Sequence, residues 1–214
     1  MALSLKLKEE LFNSISHGVG AVLGVVGTAI AIVCAALYSD VYSVVSASIY
    51  GVMLIILYTM STLYHAFTNK TVKKVFRIFD HCSIFLLIAG TYTPFTLVTL
   101  RGPFGWTIFG IIWALTILGV VLNAISLEKF KVFSMVCYIV MGWLIVIAFG
   151  PMMRALGFIP AMLYLLLGGV AYTLGVIFFA MKNVPFMHGI WHLFVLAGSI
   201  LHYFCILLYV LPIR

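Results

Sequence analysis

Seven long apolar stretches, separated only by short polar ones, decide most of what this chain can fold into. A helix crossing about 30 Å of hydrocarbon needs roughly 20 residues at 1.5 Å each. Segments 16–38, 43–67, 78–100, 104–125, 131–150, 158–181 and 187–211 each have that length. Between them stand turn formers and charges: Ser39-Asp40, the basic stretch 69–77, Arg101-Gly102-Pro103, Glu128-Lys129, Gly150-Pro151 with Arg154, and Lys182-Asn183 with Pro185. In lipid every backbone polar group must be paired within the protein, so such segments span as helices. The expected architecture is all-α, a polytopic seven-helix bundle forming a single transmembrane domain over residues 1–214.

Composition supports that reading. Charged residues make up 8% of the chain and hydrophobic ones 65%, whereas a soluble domain carries about 25% charged residues. The net charge of +7 does not imply nucleic acid, because the basic residues lie between apolar runs, where they set topology. Cys34, Cys82, Cys137 and Cys205 sit singly in apolar segments, which favours packing over a zinc ribbon or a redox pair. Lys6 and Lys8 before an apolar run suggest a secretory signal. Glu9 and Glu10 interrupt the charged region, however, and the run to Tyr38 is long for a signal, so it reads as an uncleaved first span.

Orientation follows from the basic residues on alternate sides. One side collects Lys6, Lys8, Lys70, Lys73, Lys74, Arg77, Lys129, Lys131 and Lys182; the other collects Arg101, Arg154 and Arg214. The bias predicts a cytoplasmic N-terminus, a C-terminus outside, and residence in the cell (inner) membrane. Small residues recur in the spans, as in Gly20-Ala-Val-Leu-Gly24, Gly168-Gly169 and Gly175; ordinary bundle packing explains them more readily than a dimerisation face. Pro94 predicts a kink in the third span, and Trp106, Trp143 and Trp191 fall near expected span ends, as interfacial anchors do.

Ionisable groups inside spans are costly and mark sites. All six histidines lie within or at the edges of spans. His17, His65, His81, His188 and His192 fall near the same predicted face, and Asp80 shares their level. His188 and His192 are four apart and stack on one helix face; Ser61 and His65 have the same separation, and Glu10, Asn13 and His17 form one stripe. Imidazoles converging with one open position make a zinc site of catalytic type. The expected ligands are His65, His188 and His192. Asp80 either pairs with Arg77 one turn earlier or contacts a metal-bound water. Ser61 supports that water or a ligand, unless its hydroxyl bonds back to its own helix. His202 lies about 15 Å beyond His192 along a helix, too far to share the ion, so it lines a cavity or bonds a neighbouring helix. His81 points about 100° away from Asp80 and reads as an interhelical hydrogen-bonding residue.

These motifs together resemble the bacterial hemolysin III group of the progestin and adipoQ receptor family. The resemblance is carried by Glu10-x-x-Asn13-x-x-x-His17, Ser61-x-x-x-His65, Asp80-His81 leading into Ile84-Phe85 and Gly90-Thr91-Tyr92-Thr93-Pro94-Phe95, and His188-x-x-x-His192 with His202. It implies seven helices, a cytoplasmic N-terminus, and zinc held by His65, His188 and His192, with Asp80 reaching the metal through water. Alkaline ceramidases resemble this arrangement and hydrolyse lipid amides. The leading expectation is a zinc-dependent hydrolase of a membrane lipid, with Asp80 as general base. The rivals are a membrane regulator or receptor with a structural zinc, and a transporter or cytolytic pore. No nucleic acid partner is expected, and oligomeric state is left open.

Overall fold

The computed structural model describes residues 4–156 and 159–212, and all the regular structure among them is helical. Among the described residues, eight α-helices build seven spans. They are α1 (Leu5–Tyr38), α2 (Val41–Ala66), α3 (Lys70–Pro94), α4 (Pro103–Ile125), α5 (Leu127–Trp143), α6 (Phe149–Leu156), α7 (Ile159–Ala180) and α8 (Met187–Cys205). Each span is long and apolar enough to cross a bilayer, with α5 and α6 forming one span through a 3₁₀ turn at Leu144–Ala148. The expected sixth span opened at Phe158, and Arg214 entered the charge tally; both lie outside the described residues.

Local chemistry sets the helix starts. Ser4 Oγ accepts from Leu7 N–H, Asp40 Oδ1 from Ser43, Asn69 Oδ1 from Thr71 and Val72, and Ser126 Oγ from Lys129; each cap pairs an N-terminal N–H that the helix itself leaves without a partner. At α4 Gly102 adopts φ +121°, a conformation open to glycine, and Pro103 follows with its ring set for the first turn. The Ser4 and Asn69 caps explain why α1 and α3 begin eleven and eight residues before the apolar stretches expected at 16 and 78. Those extra turns carry polar residues, so hydropathy alone misses them.

The third span leaves regular α-helix at the position where Pro94 predicts a kink. Pro94 cannot donate to the preceding turn, and the chain continues as a π-helical turn over Phe95–Thr99. The hydroxyls of Thr91, Thr93 and Thr96 bond back to carbonyls of the same helix, which satisfies polar groups where no water reaches. This span is the axis of the bundle: 72% of its apolar window is buried, against 17–44% for the others. The other spans present apolar side chains outward, with Val22, Leu37, Ile125 and Ile147 each about two-thirds exposed, as expected for surfaces facing lipid tails.

Helices adjacent in sequence pack side by side, and α1 also meets α8, so the first and last spans close the circle. Glycines mediate the close approaches. A Cβ at Gly20 would fall 2.5 Å from the Tyr58 ring, and one at Gly51 would fall 2.3 Å from Thr28. Gly24 faces Ile55, and Gly168 and Gly175 receive His202 and Trp191. The small residues thus pack within the bundle.

One expectation needs correction. Trp143 is not at a span end, because α5 continues through the 3₁₀ turn into α6. Its indole donates to Thr173 Oγ1 on α7 at 3.1 Å. Trp143 and Trp191 both line a cavity of ≈ 160 Å³ bordered by α3, α5, α7 and α8.

Candidate metal centre

Three helices bring the site together at the end of the bundle where α1 and α8 begin. α8 is placed by α1: Phe186, just before it, takes a left-handed φ of 62°, its N–H donates to Glu9 Oε1 at 2.6 Å, and its ring meets Phe12 edge-on. Left-handed backbone is uncommon for a bulky residue, and these two contacts hold it. His188 and His192 follow within the first two turns.

The three imidazoles converge. His188 Nε2 lies 3.3 Å from His65 Nε2 and 3.2 Å from His192 Nε2, and the candidate ligand atoms of all three lie within 4.8 Å of one another. Their outer nitrogens set the tautomers. His65 Nδ1 lies 2.8 Å from Glu10 Oε2, a carboxylate that only accepts. His192 Nδ1 lies 3.2 Å from the Asn13 carbonyl oxygen, which likewise only accepts, and 3.3 Å from Ser16 Oγ. Each Nδ1 therefore donates, and in the neutral rings each Nε2 turns a lone pair toward His188. A hydrogen on His188 Nε2 can serve only one of them, so the other lone pair is left facing the site without a donor.

A cation at the centre removes that conflict, since all three nitrogens then donate to one ion. Tetrahedral zinc with Zn–N bonds of about 2.0–2.1 Å separates its nitrogen ligands by about 3.3 Å, close to the two spacings that His188 Nε2 makes here. The carboxylate behind His65 is the arrangement that orients metal-bound imidazoles elsewhere. His65, His188 and His192 could therefore bind a metal ion.

The surroundings are polar and largely buried. His17 stacks on His192 with ring centroids 3.6 Å apart and an interplanar angle of 10°, and it meets Tyr58 edge-on. Among the described residues, neither of its nitrogens has a hydrogen-bond partner, and neither does the side-chain oxygen of Asn13. Glu10 Oε2 also accepts from Lys73 Nζ at 2.8 Å, and Ser61 is buried one turn before His65. Asp80, its side chain 14% exposed, lies 3.5 Å from His81 Nδ1 and interacts electrostatically with His17 and His65. Arg77 pairs instead with Glu128 at 2.8 Å, and no Asp80–Arg77 pair forms among the described residues.

His202 stands apart from the triad. Its Nε2 donates to the Leu165 carbonyl at 3.0 Å, and it lines the same cavity as His81. None of the three converging histidines lines that cavity; Trp191 and Val195 of α8 do.

Sequence reasoning missed Glu9, Ser16 and Lys73 as supports of the site. Glu9 and Lys73 carried a signal, being charged residues beside spans. Ser16 had none, since it acts by facing a histidine 176 positions away.

Comparison with known proteins identifies the family. Residues 5–203 match the family described as Haemolysin-III related. The chain is similar to Hemolysin-3 of Bacillus cereus, at 47% identity over 96% of this chain and 94% of the relative. It is also similar to the Hemolysin-3 homolog of Bacillus subtilis (strain 168), at 43% identity over 95% of each. The human Monocyte to macrophage differentiation factor is 31% identical over 92% of this chain and 83% of its own length. With seven apolar helices and matches that run nearly end to end, the chain is a multi-pass membrane protein belonging to the haemolysin-III-related family.

Proposed function

We propose that this protein is a zinc-dependent hydrolase of a membrane lipid, an amide being the preferred substrate, with its metal centre and N-terminus on the cytoplasmic side of the cell membrane. The observation that carries the reading is the set of imidazole lone pairs, fixed by Glu10 and by the Asn13 carbonyl, that converge with no shared proton able to satisfy them. Imidazole donors suit zinc among the common divalent ions. A zinc ion held there supplies Lewis acidity and lowers the pKa of a bound water to about 7.

The chain's own residues do the rest. His65, His188 and His192 hold the ion, Glu10 keeps the His65 proton on Nδ1, and Asn13 and Ser16 do the same for His192. Asp80 accepts the proton of the attacking water and returns it to the leaving nitrogen. Ser61 holds a water or a ligand by hydrogen bonding. The apolar cavity between α3, α5, α7 and α8 gives an acyl chain a place outside the bilayer. The nine-to-three bias of basic residues supports the orientation.

A second reading is favoured by one observation: the triad does not line the cavity. The ion would then brace α2 and α8 against α1 in a regulator or receptor without turnover. Elemental analysis of purified wild type, His65→Ala and His192→Ala, followed by ceramide hydrolysis, separates the readings. Hydrolysis predicts zinc near one per chain in wild type, less in both variants, and an Asp80→Asn protein that keeps metal but loses turnover. Loaded wild type inactive across lipid classes, with His188→Ala lowering thermal stability, leaves bracing alone.

A further inference from the structure

The cavity between α3, α5, α7 and α8 has a definite depth. Its lining runs from His81 to Tyr92 on α3, from Lys131 to Gly142 on α5, and from Trp191 to His202 on α8. The two residues of each pair are eleven positions apart, about 16 Å along a helix at 1.5 Å per residue. At the deep end stand three ring side chains, each pinned. The Tyr92 hydroxyl donates to the Met141 carbonyl and accepts from the Ile145 N–H, both at 2.7 Å. Trp143 Nε1 donates to Thr173 Oγ1 at 3.1 Å, which ties α5 to α7 at this level. His202 Nε2 donates to the Leu165 carbonyl at 3.0 Å, and its ring sits over Gly168, where a Cβ would fall 2.2 Å from it. Inside a bilayer no water takes over such bonds, so these rings are costly to move.

Rings bonded between helices commonly serve packing alone. These lie instead between two spaces. Beyond them a second cavity of ≈ 40 Å³ continues toward α6, reaching Phe149, Met162 and Leu166. Gly142, Trp143, Gly169 and His202 line both cavities. The two glycines let the volumes approach each other, and the two rings keep them apart.

We infer that Trp143 and His202, braced beside Tyr92, form a floor that sets the longest acyl chain the larger cavity admits. The inference rests on the reading of that cavity as the place of the substrate chain. A zigzag of carbon–carbon bonds of about 1.52 Å advances about 1.25 Å per carbon, so a depth of about 16 Å holds roughly 13 carbons. A longer chain meets the rings, and overpacking of that kind costs roughly 5–100-fold in affinity. Past the floor, Leu165 lies one turn from Gly169 on α7, about 6 Å, which is room for roughly four further carbons.

The test is binding of saturated fatty acids of about 8 to about 20 carbons to the full-length protein in detergent, followed by native mass spectrometry. A fatty acid is the product of amide hydrolysis and not its substrate, so the readout is independent of turnover. Wild type should hold chains up to tetradecanoate and bind octadecanoate about tenfold more weakly. Trp143→Ala and His202→Ala each open the floor and should bring octadecanoate within about threefold of tetradecanoate. His202→Gln, which can still donate to Leu165 and keeps most of the bulk, should retain the wild-type limit. Gly142→Leu should act in the opposite sense, because an added Cβ there meets nothing within 4 Å and the side chain enters the deep end. It should make tetradecanoate about tenfold weaker than decanoate. Loss of fold cannot produce both shifts.

A wild-type profile that is flat across the series, as of a chain that leaves sideways between α5 and α7, overturns the floor. So does a limit that neither Gly142→Leu nor the alanine variants move. Both results leave the hydrolase reading standing. Binding of no acid at any length overturns the floor together with the assignment of this cavity to a substrate chain.

Discussion

Replacing Glu10 with Gln tests whether the site is built for a metal ion. Glu10 Oε2 accepts from His65 Nδ1 and from Lys73 Nζ, both at 2.8 Å. The Gln amide oxygen can still accept the His65 proton, so the tautomer survives, but the negative charge behind the imidazole is gone. Charge-assisted bonds are about twice as strong as neutral ones, and loss of such a supporting group costs roughly 10–100-fold in metal affinity, about 1.4–2.7 kcal/mol. Glu10→Gln should fall near tenfold. Glu10→Ala, which also frees the His65 ring to turn, should fall near the hundredfold end. Lys73→Met, which removes only the partly exposed competitor for Oε2, should shift affinity by about threefold or less. The assay is zinc competition against a chromogenic chelator in detergent, with circular dichroism to verify helix content. If both Glu10 variants bind zinc within twofold of wild type, the carboxylate does not support a ligand and the metal reading of this site fails. If Gln falls as far as Ala, the retained acceptor contributes nothing and the tautomer argument fails; if Gln binds zinc like wild type while Ala does not, the charge argument fails and the tautomer argument stands.

Two further outcomes follow from the packing. Gly119→Ala places a Cβ 2.3 Å from the ring of Phe85, which is fully buried, so thermal unfolding should show a loss of about 1–3 kcal/mol; a wild-type melting curve would refute the close approach of α3 and α4. At the opposite end of the bundle Asp40 pairs with Arg101. Desolvation raises the Asp40 pKa, but the Arg101 guanidinium and the Ser43 N–H outweigh it and hold the carboxyl below its ordinary 3.8. A lowered pKa stabilises the fold above the ordinary value and ceases to do so as pH falls through the lowered one. Arg101→Gln should therefore melt below wild type at neutral pH, with the gap closing as pH drops beneath 3.8; a gap independent of pH would exclude the pair as its cause.

The spans, and the shared helix faces of His188 with His192 and of Ser61 with His65, were legible because both are local patterns. Apolar length marks a helix in lipid, and His188 with His192, or Ser61 with His65, share a face by helical repeat alone. What lay beyond the sequence was contact between distant segments. Nothing in the spacing says that Glu10 meets His65 across 55 positions, or that Arg77 prefers Glu128 to the nearer Asp80. The polar first turns of α1 and α3 were hidden for a different reason: capping by Ser4 and Asn69 extends a helix past its apolar portion, and hydropathy registers only that portion. Trp143 misled because the fifth span outlasts its expected end.

The closed circle of helices gives the histidine cluster a place in time as well as in space. A ribosome delivers α1 and α2 long before α8, so a nascent chain exposes one imidazole of the three until its last stretch leaves the tunnel. Only an inserted α8, latched to α1 through Phe186 and Glu9, completes the claw. Ion capture would thus report that synthesis and insertion had finished, and a chain stalled before Met187 would stay open at the seam for proteolysis to find.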